Sequence, residues 1–236
     1  ARKLYACRFS RGRYPCEKEL GGSFMTGVIF DLDGTLLDTL ADLHAATNAA
    51  LAHFGYPPHT RDAVRRFVGN GAGLLIARAV PAGTDKATAE AVLAAFQAYY
   101  GTHCADQTQP YPGIPELLDA LHERGIRTAC ITNKDHTDAA PMLQKFFGEG
   151  ISHVEGRKPG RPTKPAPDAV YDALKALGAD PSRALYVGDS GVDSETAKNA
   201  SLPCVLCDWG YWDRDRLENC AALGVISAPA ELLQYV

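Results

Sequence analysis

The sequence predicts an α/β fold in which a mostly parallel, doubly wound sheet is interrupted by an all-helical insert. Short apolar runs rich in Val, Ile and Leu recur along the chain, and stretches with helical spacing separate most of them. One long interval after the first run contains helical patterns only. Alternation of buried strands and helices favours right-handed crossovers and a sheet covered on both faces, as in Rossmann-like folds.

Five apolar runs have the length of strands. They are GVIF at 27–30, RTACI at 127–131, ALYV at 184–187, PCVLC at 203–207 and GVIS at 224–227. The helical patterns between them lie at 113–125, 166–178 and 194–200. Because loops at the carboxyl ends of parallel strands form the binding sites of such sheets, the polar residues after each run are the candidate site.

The interval from Thr39 to Asp106 contains four helical patterns separated by Gly or Pro. They lie at 40–55, 60–69, 71–80 and 88–101. We expect residues 25–38 and 107–236 to form the core domain and residues 39–106 to form a helical cap domain. An insert attached directly after the first strand is placed to close over a site there, and a helical decoration that only packs is the alternative.

Residues 1–24 differ from the rest of the chain in composition. They contain six Lys/Arg against two Glu, show no periodicity and lack the apolar central region of a signal peptide. We expect a basic, poorly ordered extension, with Met25 as a candidate natural start. A transit-like segment is the less favoured interpretation.

Composition excludes several classes of protein. A net charge of −4 and a pI near 6.0 give no basic surface for nucleic acid, and no apolar run approaches the roughly 18 residues of a membrane helix.

Seven cysteines, an odd number, indicate reduced thiols. The CxxC at Cys204 and Cys207 lacks a second pair, so buried apolar thiols are favoured over a zinc or redox site. We expect a cytoplasmic monomer or homodimer.

Polar side chains follow the ends of the predicted strands or precede a helix. They are Asp31, Asp33, Thr132, Asn133, Lys164, Asp189 and Asp193. Two carboxylates about 4 Å apart repel by roughly 4 kcal/mol at an effective dielectric constant near 20, so protonation or a divalent cation must compensate them. Ligands that are all oxygens, and few of them, favour Mg²⁺ over Ca²⁺. The spacing does not match a Ca²⁺-binding loop.

A hard cation beside a lysine, a hydroxyl and an amide suits a phosphoryl group. The segment DLDGT adds backbone N–H donors, and Gly34 permits their close approach. One carboxylate can attack phosphorus to give an aspartyl-phosphate, and a second carboxyl two residues later can protonate the leaving oxygen. A passive metal site is the less favoured alternative.

Four segments in order, DLDGTLLD, ITN, KPAPD and GDSGVD, resemble the four motifs of the haloacid dehalogenase superfamily. The resemblance extends from Val28 to about Tyr211. The second aspartate of the first motif is typical of the phosphatase branch of that superfamily, and the helical insert resembles its cap.

The resemblance implies a role for each matching residue. Asp31 would be the nucleophile and a metal ligand, and Asp33 would be the general acid/base and lend its carbonyl to Mg²⁺. Thr132 and Asn133 would bind phosphoryl oxygens. The remaining roles are charge neutralisation by Lys164, metal ligation by Asp189, and support of the metal site by Asp193.

Two points within the resemblance stay open. The segment EGRKPGRPTKPAPDAV contains a second Lys-Pro pair at Lys158, so Lys158 is an alternative to Lys164.

The segments RRFVGNGAGLLIARAV, YPGIPELLDAL and WGYW resemble the phosphoglycolate phosphatases, which implies a small phosphorylated acid as substrate. We expect Arg65 and Asn70 to contact it, with Arg66 or Arg78 as alternatives; any of these arginines could instead lie on a solvated helix face.

We therefore expect an Mg²⁺-dependent phosphomonoester hydrolase that acts on a small phosphorylated metabolite. Two other functions stay open. One is a phosphosugar mutase of the same fold, similar to β-phosphoglucomutase, and the other is a non-catalytic binding protein that retains the site.

Overall fold

The structure, a computed structural model, describes residues 25–236, so the predicted basic extension at residues 1–24 lies outside the described residues, and Met25, the candidate start, is the first described residue. The first half contains β1 (Gly27–Phe30), β2 (Leu37–Asp38), α1 (Leu40–His53), α2 (Arg61–Phe67), α3 (Ala72–Ala79), α4 (Lys86–His103), β3 (Gln109–Pro110) and α5 (Ile114–Glu123). The second half contains β4 (Arg127–Asp135), α6 (His136–Phe147), β5 (His153–Arg157), α7 (Asp168–Leu177), β6 (Ala184–Gly188), α8 (Gly191–Asn199), β7 (Cys204–Cys207), α9 (Arg214–Leu217) and β8 (Gly224–Ile226).

Six strands form one sheet in the order β5-β4-β1-β6-β7-β8, and every neighbouring pair is parallel. Strand β1 lies in the middle, where Val28 pairs with Thr128 on one side and Leu185 on the other. The carboxyl ends of all six strands therefore lie at one edge. This arrangement confirms the predicted α/β class and the doubly wound, Rossmann-like sheet.

Side chains of β1 alternate between two apolar layers. Phe30 packs in the layer formed with α5 and α6, whereas Ile29 packs against α7 and α8 in the other. Both residues are essentially inaccessible to solvent. A strand that is buried on both faces reads as a continuous apolar run, which is why GVIF was recognisable in the sequence.

Strand β5 and helix α6 of the sheet domain were not predicted. Strand β5 has the sequence HVEGR and lies at the edge of the sheet, where a strand needs fewer apolar residues. Helix α6 contains Pro141, which weakens its helical pattern. Strand β4 also continues to Asp135, four residues beyond the predicted run, so it carries its polar end into the site.

Helices α1 to α4 occupy the predicted insert and enclose an apolar core of their own. Leu51, Ile76 and Phe96 are among its buried members. The chain enters and leaves the insert through the antiparallel pair β2–β3. We propose on this basis that residues 39–106 form a cap domain.

Within residues 25–236, none of the helices has the length and hydropathy that a membrane span requires.

Asp42 on α1 fixes the point where the insert returns to the sheet domain. Its buried carboxylate accepts hydrogen bonds from the backbone N–H groups of Gln107 and Thr108, at 3.0 and 2.9 Å, and from the Thr108 hydroxyl at 2.7 Å. These bonds join the first helix of the insert to the segment that leaves it.

We predict that Asp42→Ala lowers the free energy of unfolding by about 2–3 kcal/mol, because buried donors to a charged group lose their acceptor. Urea denaturation followed by circular dichroism measures the change. Glu90→Ala, at an exposed position of α4, is the matched control and should stay within about 0.5 kcal/mol of the parent. Equal stability of the Asp42 variant and the parent would refute this role.

Candidate active site

Lys164 lies at the centre of the carboxylates that follow β1 and β6. Its ammonium group is 2.7 Å from Asp31 Oδ1 and 2.8 Å from Asp193 Oδ1. Burial lowers the pKa of Lys164, but the charges of Asp193 and Asp31 outweigh it and raise that pKa well above its ordinary value. The lysine is therefore a fixed cation. The structure supports Lys164 over the alternative Lys158, whose half-exposed ammonium group contacts Glu155 at 3.0 Å.

Asp31 lies directly after β1 and is almost completely buried. Burial raises its pKa to about 7; Lys164 acts in the opposite direction, and Asp193 raises the value further. Oδ1 of Asp31 is within ion-pair distance of Lys164 but has no hydrogen-bond partner among the described residues. A buried oxygen without a hydrogen bond is suited to bind a cation or to attack an electrophile.

Asp189 completes a group of acids that fits a divalent cation. One oxygen each from Asp31, Asp189 and Asp193 lies within 4.8 Å of the other two. Burial, followed by the charges of Asp193 and Asp31, raises the pKa of Asp189 well above its ordinary value, so an added positive charge would favour its ionised form. Gly34 has φ of 88°, and a Cβ there would collide with the Asp189 carboxylate. Glycine thus lets the loop after β1 reach this acid.

The carboxylates of Asp193 and Asp33 both have partners within the protein, so neither is free to act only as a metal ligand. Asp193 is in the first turn of α8, where its Oδ2 accepts hydrogen bonds from the backbone and side chain of Ser190. Its other oxygen contacts Lys164, which agrees with the supporting role expected for it. The Asp33 carboxylate is outside the group of three acids and instead accepts hydrogen bonds from Thr39 Oγ1 at 2.6 Å and Lys134 Nζ at 2.8 Å.

The polar end of β4 supplies Thr132 and Asn133, both buried. The Asn133 amide is occupied by the backbone of Lys164: its Oδ1 accepts from Lys164 N at 2.9 Å, and its Nδ2 donates to the Lys164 carbonyl at 3.1 Å. Nδ2 also reaches the Gly69 carbonyl in the insert at 3.1 Å. The side chain of Asn133 therefore positions Lys164, rather than presenting its amide to a phosphoryl group as expected.

A cavity lies between this sheet edge and the insert. The sheet domain contributes polar walls that include Asp31, Asp33, Thr132 and Lys164. The insert contributes mainly apolar walls, which include Leu43, Val68, Leu75 and Phe96, together with Gln97 and Tyr100. A charged base and an apolar roof suit a small anionic ligand whose charged end faces the sheet.

Two predicted substrate-binding residues lie outside the lining of this cavity. Arg65 donates hydrogen bonds to the Tyr211 carbonyl and to Asp213, so it joins the insert to the sheet domain. Asn70 Oδ1 accepts a hydrogen bond from Arg78 at 2.8 Å. Their side chains are held by other partners, and the geometry does not support substrate binding for either. The glycines beside Asn70 line the cavity in its place.

Three residues of the site were not among the predicted site residues. Lys134 and Tyr100 both line the cavity. Tyr211 donates its backbone N–H to Asp189 at 2.6 Å, and its hydroxyl contacts Thr39 Oγ1 at 2.8 Å. Lys134 directly follows the ITN segment, in the part of β4 that extends past the predicted run. The CxxC cysteines are buried in β7, as expected for apolar thiols.

Residues 28–207 match the family model described as haloacid dehalogenase-like hydrolase. A "phosphoglycolate phosphatase" of Rhodospirillum rubrum is 39% identical over 213 residues, which cover 87% of this chain and 88% of the relative. An "N-acetylmuramic acid 6-phosphate phosphatase" of Pseudomonas aeruginosa is 34% identical over 214 residues, covering 90% and 95%.

The crystal structure of "a predicted phosphoglycolate phosphatase" from Haemophilus somnus superposes on this chain with a TM-score of 0.84 at 28% identity. The match covers 91% of this chain and 99% of that one. The similarity therefore includes both the sheet domain and the insert.

We predict that a divalent cation stabilises the protein through the three-acid group. Mg²⁺ at about 100 times its Kd should add about 2.7 kcal/mol, because it binds the folded state. Asp189→Asn should lose this increment in thermal unfolding while keeping the metal-free stability, since it removes repulsion among buried acids. The exposed variant Asp119→Asn is the control and should retain the increment. An unchanged Mg²⁺ response in Asp189→Asn would contradict the assignment.

Proposed function

The chain belongs to the haloacid dehalogenase-like hydrolases and is a phosphatase, and from this premise we propose that it hydrolyses a small phosphorylated acid, phosphoglycolate or a close analogue. We propose further that the reaction requires Mg²⁺ and passes through an aspartyl-phosphate on Asp31. The observation that carries the proposal is the contact between the Lys164 ammonium group and the buried Asp31 carboxylate. This carboxylate lies at the carboxyl edge of the sheet and lines the cavity.

In the first step, a carboxylate oxygen of Asp31 attacks phosphorus. The bond from phosphorus to the ester oxygen breaks, and that oxygen takes a proton from the Asp33 carboxyl group and leaves as an alcohol. Lys164 neutralises charge on Asp31 and on the phosphoryl oxygens. The Thr132 hydroxyl lines the same wall and supplies a donor to those oxygens.

In the second step, water hydrolyses the aspartyl-phosphate. The ionised Asp33 carboxylate takes a proton from the water molecule as the water oxygen attacks phosphorus. The bond between phosphorus and the Asp31 oxygen breaks, which releases inorganic phosphate and restores both carboxyl groups. The same residue serves as acid and then as base because the first step leaves it deprotonated.

Mg²⁺ held by Asp31, Asp189 and the neighbouring backbone would supply positive charge to the transferring phosphoryl group. The buried three-acid group fits such an ion, because Lys164 compensates only part of its negative charge. Asp193 would contribute mainly by holding Lys164.

The substrate class is proposed from the cavity and from the relatives together. Both curated relatives are named for a phosphorylated acid, phosphoglycolate in one case and N-acetylmuramic acid 6-phosphate in the other. Among the insert residues that line the cavity, Gln97 and Tyr100 are the two with hydrogen-bonding side chains, and Tyr100 already contacts Lys134, so the roof offers few groups to recognise the hydroxyls of a sugar ring. That roof favours the smaller acid, and it also disfavours the phosphosugar mutase alternative.

We predict that Lys164→Ala lowers kcat by about 10²–10³-fold, because a fixed cation beside the reacting phosphoryl group is lost. Lys158→Ala, a lysine of the same loop whose ammonium group contacts Glu155, is the matched control and should retain parent activity. Phosphate release with Mg²⁺ measures both. Loss of activity in Lys158→Ala alone would show that the lysine has been misassigned.

The substrate proposal is tested with a panel of phosphoglycolate, N-acetylmuramic acid 6-phosphate, glucose phosphates and ethyl phosphate. We expect the highest kcat/KM for phosphoglycolate, and no phosphate release by Asp31→Asn because its amide is a poor nucleophile. The chelator EDTA should stop the reaction, and added Mg²⁺ should restore it. Isomerisation of a glucose phosphate without phosphate release would instead identify a mutase.

A further inference from the structure

Lys134 is a second buried lysine of the site, and the proposed reaction does not use it. It lies near the end of β4, its side chain is 5% exposed, and it lines the cavity. Its ammonium group donates hydrogen bonds to Asp33 Oδ1 at 2.8 Å and to the Tyr100 hydroxyl at 2.7 Å. A buried cation is retained only with partners such as these, so its position is specific.

The two hydrogen bonds to Asp33 converge on one of its oxygens. Thr39 Oγ1 and Lys134 Nζ both donate to Oδ1, at 2.6 and 2.8 Å. No described residue donates to Oδ2, and Asp33 lines the cavity. Two donors on Oδ1 leave Oδ2 as the oxygen that can carry a proton toward a bound ligand.

Tyr100 connects this arrangement to the insert. It lies on α4, is buried, and packs in the core of the insert. The Lys134 ammonium group also lies 4.7 Å from the centre of the Tyr100 ring, close enough for a cation–π contact. The position of Lys134 is thus determined by the sheet domain and by the insert together.

We infer that Lys134 is a positioning residue for the acid step: held by Tyr100 of the insert, it orients the Asp33 carboxyl group so that Oδ2 delivers its proton to the leaving oxygen. The inference rests on the proposed function, because it assumes that Asp33 is the general acid. Lys164 contacts the nucleophile and serves every substrate. Lys134 serves only the transfer of a proton to the leaving group.

This difference predicts a dependence on the leaving group. An alkyl alcohol such as glycolate leaves poorly as an anion and needs the proton, whereas 4-nitrophenolate leaves without one. The parameter kcat/KM contains steps only as far as formation of the aspartyl-phosphate. It therefore isolates the acid step from the later hydrolysis, in which Asp33 acts as a base.

The experiment compares kcat/KM for phosphoglycolate, ethyl phosphate and 4-nitrophenyl phosphate. In Lys134→Met we expect a loss of about 10-fold or more for both alkyl phosphates, and a change of less than about 3-fold for the aryl phosphate. Tyr100→Phe keeps the ring but removes the hydroxyl, and it should show the same selectivity with a smaller loss. Lys175→Met, at an exposed position of α7, is the control and should match the parent for all three substrates.

Equal losses for the three substrates would overturn the inference, because they would indicate a structural or phosphate-binding role. A loss for phosphoglycolate alone would also overturn it, because it would indicate that Lys134 binds the substrate carboxylate. If Lys134→Met does not fold, Tyr100→Phe decides between the same outcomes.

Asp33→Asn separates this inference from the proposed function. A leaving-group effect in Asp33→Asn without one in the Lys134 and Tyr100 variants would refute the positioning role alone. Absence of the effect in Asp33→Asn as well would refute the assignment of Asp33 as the acid, and the proposed mechanism with it.

Discussion

Burial of several negative charges at one edge of a parallel sheet is the constraint on which the rest of this structure depends. Asp31, Asp189 and Asp193 place oxygens within 4.8 Å of one another, where solvent does not screen their repulsion. Lys164 compensates part of that charge by contacting the first and third acids. The remainder is suited to a divalent cation, and the backbone glycine at position 34 leaves the necessary room.

The insert is joined to the candidate site by contacts that end on the segments with the proposed catalytic residues. Arg65 of α2 reaches the Tyr211 carbonyl, and the Gly69 carbonyl after α2 accepts from Asn133. Tyr100 of α4 reaches Lys134. Each contact links a residue of the insert to a residue that itself contacts an acid or Lys164. The insert therefore both roofs the cavity and helps to arrange the groups beneath it.

The sequence was most informative where one local pattern had one physical cause. The run GVIF followed by Asp31 and Asp33 indicated a buried strand and the acids at its end. Lys164, by contrast, was favoured over Lys158 because the KPAPD segment resembles a family motif. Arg65 and Asn70 were expected to bind substrate because of their residue types, but their side chains have other partners. Lys134 was missed because a lysine is recognisable as buried only when its partners are known, and Tyr100 lies 34 positions away in the chain.

The central claim is that Asp31 becomes phosphorylated, and the most direct measurement is chemical trapping of that intermediate. Borohydride reduces an aspartyl-phosphate to homoserine, so enzyme quenched during turnover of phosphoglycolate can be reduced, digested and sequenced by mass spectrometry. The account predicts homoserine at Asp31 and at no other aspartate, and none without substrate. Homoserine at a different aspartate, or unmodified Asp31 in enzyme that is turning over, would contradict it.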